Sequence, residues 1–197
     1  MGADTGMYSQ HGEDDLIASL VPASGRFLDI GAFHPKQLSN TRLLYERGWS
    51  GVMIEPSPGP MRRLIDSYGY DERITLVQVL VGPSRGLKRV EVTDGPVSTE
   101  NAAVRRLWAN DGAYEGVVYI PMVTLEDILS QFGAFAFVNI DAEGGSVDLF
   151  DRLMATPMKP ACVCVEHDGE QSTVQRIARN AGYRVELTNE TNMVVCR

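Results

Sequence analysis

The sequence predicts an α/β fold of the Rossmann-like kind, a mostly parallel nucleotide-binding sheet with helices on both faces, and three stretches carry that expectation. Arg26-Phe-Leu-Asp-Ile-Gly-Ala-Phe-His-Pro35 reads as a buried strand that ends near an acid, Asp29, and runs into a turn opened by Gly31. Trp49-Ser-Gly-Val-Met-Ile-Glu55 reads as a second short strand ending in Glu55. Between them, Ser39-Asn-Thr-Arg-Leu-Leu-Tyr-Glu-Arg-Gly48 starts with capping residues and ends in glycine, as a crossover helix does.

This order of strand, glycine turn, helix, strand and acid has a chemical meaning. A glycine after the first strand lets backbone approach a ligand, and the strand-end carboxylate accepts hydrogen bonds from hydroxyl or amino groups. The acid at the end of the second strand then meets ribose hydroxyls. The plain alternatives are a strand followed by a tight turn for Asp29, and a solvated acid before Pro56 for Glu55; the spacing between the two acids favours the ribose role.

The chain has 197 residues, enough for one domain with a sizeable core. With 44% hydrophobic and 22% charged residues it is ordinary globular protein. A net charge of −8 argues against a nucleic-acid or anionic membrane partner. The cysteines Cys162, Cys164 and Cys196 are an odd number in apolar runs and read as reduced core residues. No basic-then-apolar leader opens the chain and no apolar run approaches about 20 residues, so a cytoplasmic protein is expected.

Residues 1–25 form an N-terminal capping segment in which Glu13, Asp14 and Asp15 favour the start of a first helix. Tyr8, Gln10 and His11 lie just before the core strand, where they could fold over a cofactor. Pro58 to Tyr68 reads as another helix, and Ile74 to Val81 as a third parallel strand whose Val79 and Leu80 would lie beside an adenine. Leu87 to Thr93 is a short strand. Residues 94–116 resist a regular reading and are taken as a substrate lid.

Thr124 caps a short helix with Asp127 at its third position. Phe135 to Asp141 is the next buried strand, again ending in an acid, and Ser146 opens the helix that follows. Ala161 to Asp168 brings Glu166, His167 and Asp168 to the rim, Gln171 to Gly182 is the last helix, and Tyr183 to Cys196 closes as a hairpin. Strand ends of a parallel sheet share one edge, so Asp29, Glu55, Asp141 and His167 are expected to converge.

Taken together, Tyr8-Ser-Gln-His-Gly-Glu-Asp, Leu28-Asp-Ile-Gly-Ala-Phe-His-Pro with Ser39-Asn-Thr, Gly48-Trp-Ser-Gly-Val-Met-Ile-Glu-Pro, Ser98-Thr99, Thr124-Leu-Glu-Asp-Ile-Leu and Asn139-Ile-Asp-Ala-Glu-Gly resemble the FkbM family of S-adenosylmethionine-dependent methyltransferases. The resemblance implies a class I methyltransferase fold, a seven-stranded sheet with a C-terminal antiparallel hairpin, and methyl transfer to a hydroxyl, with S-adenosylhomocysteine as product. It places Asp29, Gly31 and Ala32 at the methionine end of the cofactor, and Glu55, followed by Pro56, at the ribose. Val79 and Leu80 would flank the adenine, and Asp141 would sit near the cofactor's amino group or the substrate. Ser39, Asn40 and Thr41 would line the pocket's first helix, and Gln10 belongs to the N-terminal motif. The chain departs from the family where Asn139 replaces a lysine and where Gly145-Ser146 replaces an Ala-Glu pair.

An alcohol acceptor must lose its proton, and His34, Asp141 and His167 are the candidate bases. His34 before Pro35 has the alternative of bonding its own turn, and His167 that of a solvated strand-end residue. A divalent ion on Asp141, Glu143, His167 and Asp168 is less favoured, since no tight ligand spacing supports it. The acceptor expected is a sugar, glycan or secondary metabolite. Three other functions compete: a non-catalytic cofactor-binding module, a metallohydrolase, which would need a stronger ligand constellation, and an NAD(P)-dependent oxidoreductase. The last lacks the Gly-x-Gly-x-x-Gly turn, since the chain reads Gly31-Ala-Phe-His-Pro-Lys there.

Overall fold

The computed structural model describes residues 8–93 and 114–197. In chain order the elements are α1 (Glu13–Leu20), β1 (Arg26–Ile30), α2 (Arg42–Glu46), β2 (Ser50–Ile54), α3 (Pro58–Tyr68), β3 (Ile74–Val77), β4 (Leu80–Val81), β5 (Gly86–Thr93), β6 (Tyr114–Val123), α4 (Leu125–Phe132), β7 (Phe137–Ile140), α5 (Ser146–Ala155), β8 (Cys162–Glu166), α6 (Gln171–Asn180), β9 (Arg184–Thr188) and β10 (Asn192–Cys196). The main sheet has the order β3-β2-β1-β7-β8-β10-β9, and only β10 runs against its neighbours.

Alternation along the strands builds both layers of core. Leu28, Ile30, Val52, Ile54, Val138 and Ile140 face a cluster that includes Leu125, Ile128, Leu149, Phe150 and Ile177, so α4, α5 and α6 cover that face. Phe27, Met53, Phe137, Cys162 and Cys164 face Ile17, Leu44, Leu64 and Tyr68, so α1, α2 and α3 cover the other. Asp29 and Asn139 alternate in phase with this second set, and their side chains therefore lie on the α1–α3 side. Gly51 is required there, because a Cβ on it would come within 2.2 Å of the Phe27 ring.

The strand order reverses direction between β1 and β7. β1, β2 and β3 step outward one way, and the chain returns through β4, β5 and β6 to place β7 on the other side of β1. A crevice at the carboxyl ends of such strands is where open α/β sheets bind ligands.

Three expectations need correction. The stretch Ile74 to Val81 is two strands, not one: Val77 pairs with Ile54, the last residue of β2, and the chain then leaves the sheet for lack of a partner. Leu80 and Val81 join a separate sheet of order β4-β6-β5, paired with Met122 and Val123. The first crossover helix spans only Arg42–Glu46, since Ser39 Oγ accepts the Arg42 N–H at 3.1 Å and Thr41 turns its hydroxyl to Asp29. Cys162 and Cys196, read as reduced, form a disulfide between facing positions of β8 and β10, while Cys164 is free and buried. Most of the lid expected at 94–116, with Ser98, Thr99 and Trp108, lies outside the described residues. Among the described residues no helix is long and apolar enough to cross a membrane.

Candidate functional site

A cavity of about 400 Å³ opens at the carboxyl ends of β1, β2 and β7. That volume is of the size that holds a small ligand or cofactor. Ile30 and Gly31 come from β1 and its turn, Ile54, Glu55 and Pro56 from the end of β2, and Asp141 to Gly145 from the loop after β7. Phe33, Leu38, Val79, Leu80 and Met122 supply apolar walls, and Asp148 and Arg152 of α5 complete the rim.

Backbone hydrogen bonds hold the turn after β1 against both neighbours. The N–H groups of Gly31 and Ala32 both donate to the Ile54 carbonyl, at 2.9 and 3.0 Å, and the Asp141 N–H donates to the Ile30 carbonyl at 2.9 Å. Gly31 has a φ of +84°, and a Cβ there would stand 1.8 Å from the Asp141 carbonyl oxygen. Only glycine allows this approach of the two strand ends.

Glu55 is 5% exposed and fastened at both oxygens: the Phe33 N–H donates to Oε2 at 3.0 Å and the Ser57 N–H to Oε1 at 2.7 Å. Burial pushes its carboxyl up, and the two N–H donors pull it down without overcoming that rise. Oε2, with the Phe33 N–H as its donor, keeps a further lone pair for a ligand hydroxyl.

Asp29 does not line the cavity. It is 2% exposed on the α1–α3 side, where Thr41 Oγ1 donates to Oδ2 at 2.5 Å and Asn139 Nδ2 to Oδ1 at 2.9 Å. Asn40 Nδ2 in turn donates to Asn139 Oδ1 at 2.9 Å. Thr41, Asp29, Asn139 and Asn40 thus form one buried chain of hydrogen bonds joining α2's leading turn to β1 and β7. Burial raises the Asp29 carboxyl although Thr41 and Asn139 favour its charge.

Of the other expected cofactor residues, Gly31, Glu55, Pro56, Val79, Leu80 and Asp141 are in the lining, while Asn40, Thr41 and the buried Ala32 are not. Gln10 is exposed and also outside it. The N-terminal segment instead ties to α2 and the hairpin: the Ser39 N–H donates to the Tyr8 carbonyl, and Glu13 accepts from Asn189 and Asn192.

Among the candidate bases, only Asp141 reaches the cavity. His34 Nδ1 accepts the N–H groups of Lys36 and Gln37 at 3.1 and 2.9 Å, a turn role, and burial followed by Arg63's charge lowers its pKa. His167 is 2% exposed; its Nδ1 accepts the Gly169 N–H at 3.1 Å and its Nε2 lies 3.1 Å from the Asn189 carbonyl. Burial, and then the charges of Glu166 and Glu143, push Asp141 well above the usual carboxylate range, and Asp141 and Glu166 share a hydrogen bond. Asp148 and Arg152 are cavity residues that sequence reasoning misses, and Glu143 enters it only as a less favoured ion ligand. The cue was there for Glu143, two residues beyond the strand-end acid and followed by Gly144-Gly145. Among the described residues no group of three or more His, Cys, Asp or Glu side chains is placed to hold a metal ion.

Comparison with solved structures places this architecture among the class I methyltransferase folds. A methyltransferase FkbM from Methylobacillus flagellatus KT superposes with a TM-score of 0.58 at 13% identity, over 97% of this chain and 47% of its own. The present chain therefore spans about half of that protein's length. A precorrin-6y C5,15-methyltransferase from Geobacter metallireducens GS-15 superposes with a TM-score of 0.55 at 13% identity, over 100% of this chain and 92% of its own. A protein of the NADB-Rossmann superfamily from Streptococcus agalactiae gives 0.52 at 13% identity, over 100% of this chain and 71% of its own. At these identities the likeness is one of fold. No family model matches the chain. No curated protein matches it.

Proposed function

We propose that this chain is an S-adenosylmethionine-dependent methyltransferase acting on a hydroxyl of a sugar, glycan or secondary metabolite. The observation that carries the reading is Glu55, held rigidly by two backbone N–H groups at the wall of a cavity beside the β1–β7 reversal. A carboxylate so fixed suits a ribose diol, and Val79 and Leu80 lie in the same lining to flank an adenine. The cavity's size fits one nucleoside with a short amino-acid tail. A dinucleotide fits less well, because a pyrophosphate needs free N–H groups in the first turn and Phe33 there already donates to Glu55.

When bound, S-adenosylmethionine supplies a methyl group made electrophilic by a positively charged sulfur. The chain's own residues must hold the acceptor oxygen in line with that group and exclude water. Phe33, Leu38 and Met122 supply the apolar walls for this, and Asp148 and Arg152 provide polar contacts at the rim. The net charge of −8 supports a small-molecule or carbohydrate acceptor over nucleic acid.

Isothermal titration with S-adenosylmethionine, S-adenosylhomocysteine and NADH tests the reading. Micromolar binding of the two sulfur compounds, lost in Glu55→Ala and absent for NADH, is expected. A folded protein that binds neither would overturn it. Binding without transfer to any of a panel of hydroxyl acceptors would move the weight to a non-catalytic cofactor-binding module.

A further inference from the structure

Resting on the methyltransferase reading, we propose that Glu143 is the general base that takes the proton of the acceptor hydroxyl. The acids around the cavity have different occupations. Glu55 receives two backbone N–H groups, and Asp141 is tied to Glu166. Glu166 is further approached by Ser146 Oγ at 3.4 Å. Asp168 has the N–H groups of Gly144 and Ser146, at the start of α5, favouring its charge. Asp148 is exposed on α5. Glu143 alone of the acids on the β7–α5 loop lines the cavity half-buried and makes no side-chain hydrogen bond among the described residues.

The loop that carries it is held from below. The Ala142 N–H donates to Ser146 Oγ at 2.8 Å, and the Gly145 N–H to the Ala142 carbonyl at 2.9 Å. Within this frame Glu143 itself has a φ of +32°, in the left-handed region that a side-chain-bearing residue adopts only when its surroundings impose it. Such conformations gather at functional sites, and here the loop fixes the backbone from which the carboxyl reaches the cavity.

The surroundings also suit the chemistry. The titratable groups near Glu143 are Asp141 on its own loop, Glu166 and Asp168 from the end of β8, and Asp148 and Arg152 from α5. Burial, followed by the negative charges of Glu166 and Asp168, pushes its carboxyl up to about 7. A base that releases and takes a proton near neutral pH is the efficient kind. Asp141, tied to Glu166, is poorly placed for that work, and both His34 and His167 are engaged in their turns.

The step balances simply. The acceptor oxygen forms a bond to the methyl carbon, the sulfur–carbon bond breaks with its electron pair left on a neutral sulfur, and the hydroxyl proton passes to a Glu143 oxygen. Solvent removes that proton afterwards.

Two measurements test it. Carbon NMR of protein labelled at the glutamate carboxyls, with the signal assigned by its absence in Glu143→Gln, is expected to give a midpoint near 7. A midpoint in the ordinary carboxylate range would overturn the proposal without any acceptor being known. In parallel, Glu143→Gln is expected to bind S-adenosylhomocysteine as the parent does, and to lose roughly 100-fold or more in turnover on neutral hydroxyl acceptors. Transfer to a nitrophenolate, already ionised, should largely survive. Parental turnover in Glu143→Gln on neutral hydroxyls would remove Glu143 from the reaction while leaving the methyltransferase reading intact. Failure of the unmodified protein to bind S-adenosylhomocysteine would remove that reading, and the base with it.

Discussion

Asn139 on β7 donates its side-chain amide to the buried carboxylate of Asp29 on β1 at 2.9 Å, across the register pair that joins the two strands. The same amide accepts from Asn40 through its oxygen. It therefore locks the reversal point of the sheet to the turn that leads into α2. Asn139→Leu removes one donor to Asp29 and the acceptor for Asn40, leaving buried polar atoms without partners. A loss of about 2–3 kcal/mol in urea unfolding at neutral pH is expected. A change within about 0.5 kcal/mol would show that the network contributes little.

Gly31→Ala is expected to be among the most damaging single-methyl additions in the chain. The new Cβ would stand 1.8 Å from the Asp141 carbonyl at a φ of +84°. Relief requires β1 and β7 to part at their ends, which also reshapes the cavity. We expect destabilisation of about 2–3 kcal/mol together with loss of cofactor binding. A stable variant with parental affinity would refute the close approach.

Glu55→Gln separates charge from shape. The amide keeps an oxygen for one of the two N–H groups of Phe33 and Ser57 but turns a donor toward the other. Affinity for S-adenosylhomocysteine should fall about tenfold or more, since one hydrogen bond to a charged group is worth about 1.5–3 kcal/mol. Titration calorimetry reads this directly, and unchanged affinity would place the ribose elsewhere.

Glu13 gives the chain an acid-sensitive clamp. Burial pushes its carboxyl up, but Asn192, Asn189 and the His11 N–H donate to it, and together these bonds hold the net pKa below the ordinary 4.5. A carboxyl depressed in the folded state contributes stability that is present above its unfolded pKa and lost as pH falls through the folded one. Unfolding free energy measured from neutral pH downward should therefore drop below about pH 4.5 in the parent, and less steeply in Glu13→Gln. Parallel curves would show that Glu13 does not contribute to the acid loss.

Local chemistry made several elements readable. Pro58 near the start of α3, with Met61, Leu64 and Ile65, announced that helix to within its observed bounds, although Ile65 is exposed and Tyr68 is buried in its place. Thr124 and Asp127 form the expected capping box at α4. The apolar runs of the central strands and the final hairpin were also legible, because burial on both faces of a parallel sheet leaves its mark on every residue of a strand.

Side-chain direction was the point at which this reading failed. Asp29 and Glu55 look alike in sequence, each an acid at the end of an apolar strand, yet Glu55 meets the cavity and Asp29 turns into the α1–α3 layer. The difference is one of position along the strand: Asp29 lies within β1, in register with Met53 of β2, whereas Glu55 lies one residue past the end of β2. His34 and His167, expected at the rim, stand outside the cavity's lining, and nearby backbone N–H groups engage their ring nitrogens.

Composition, strand patterning and capping thus specified a parallel α/β sheet with an acid-bearing rim, because those features act over a few residues at a time. The reversal between β1 and β7, the split of residues 74–81 between two sheets, the pairing of Cys162 with Cys196 and the choice of Glu143 as the acid left open to the cavity depend on partners far away in the chain. Such contacts form only when strands are stacked in one order and one register, so tertiary packing decides them and no local stretch of residues carries the answer.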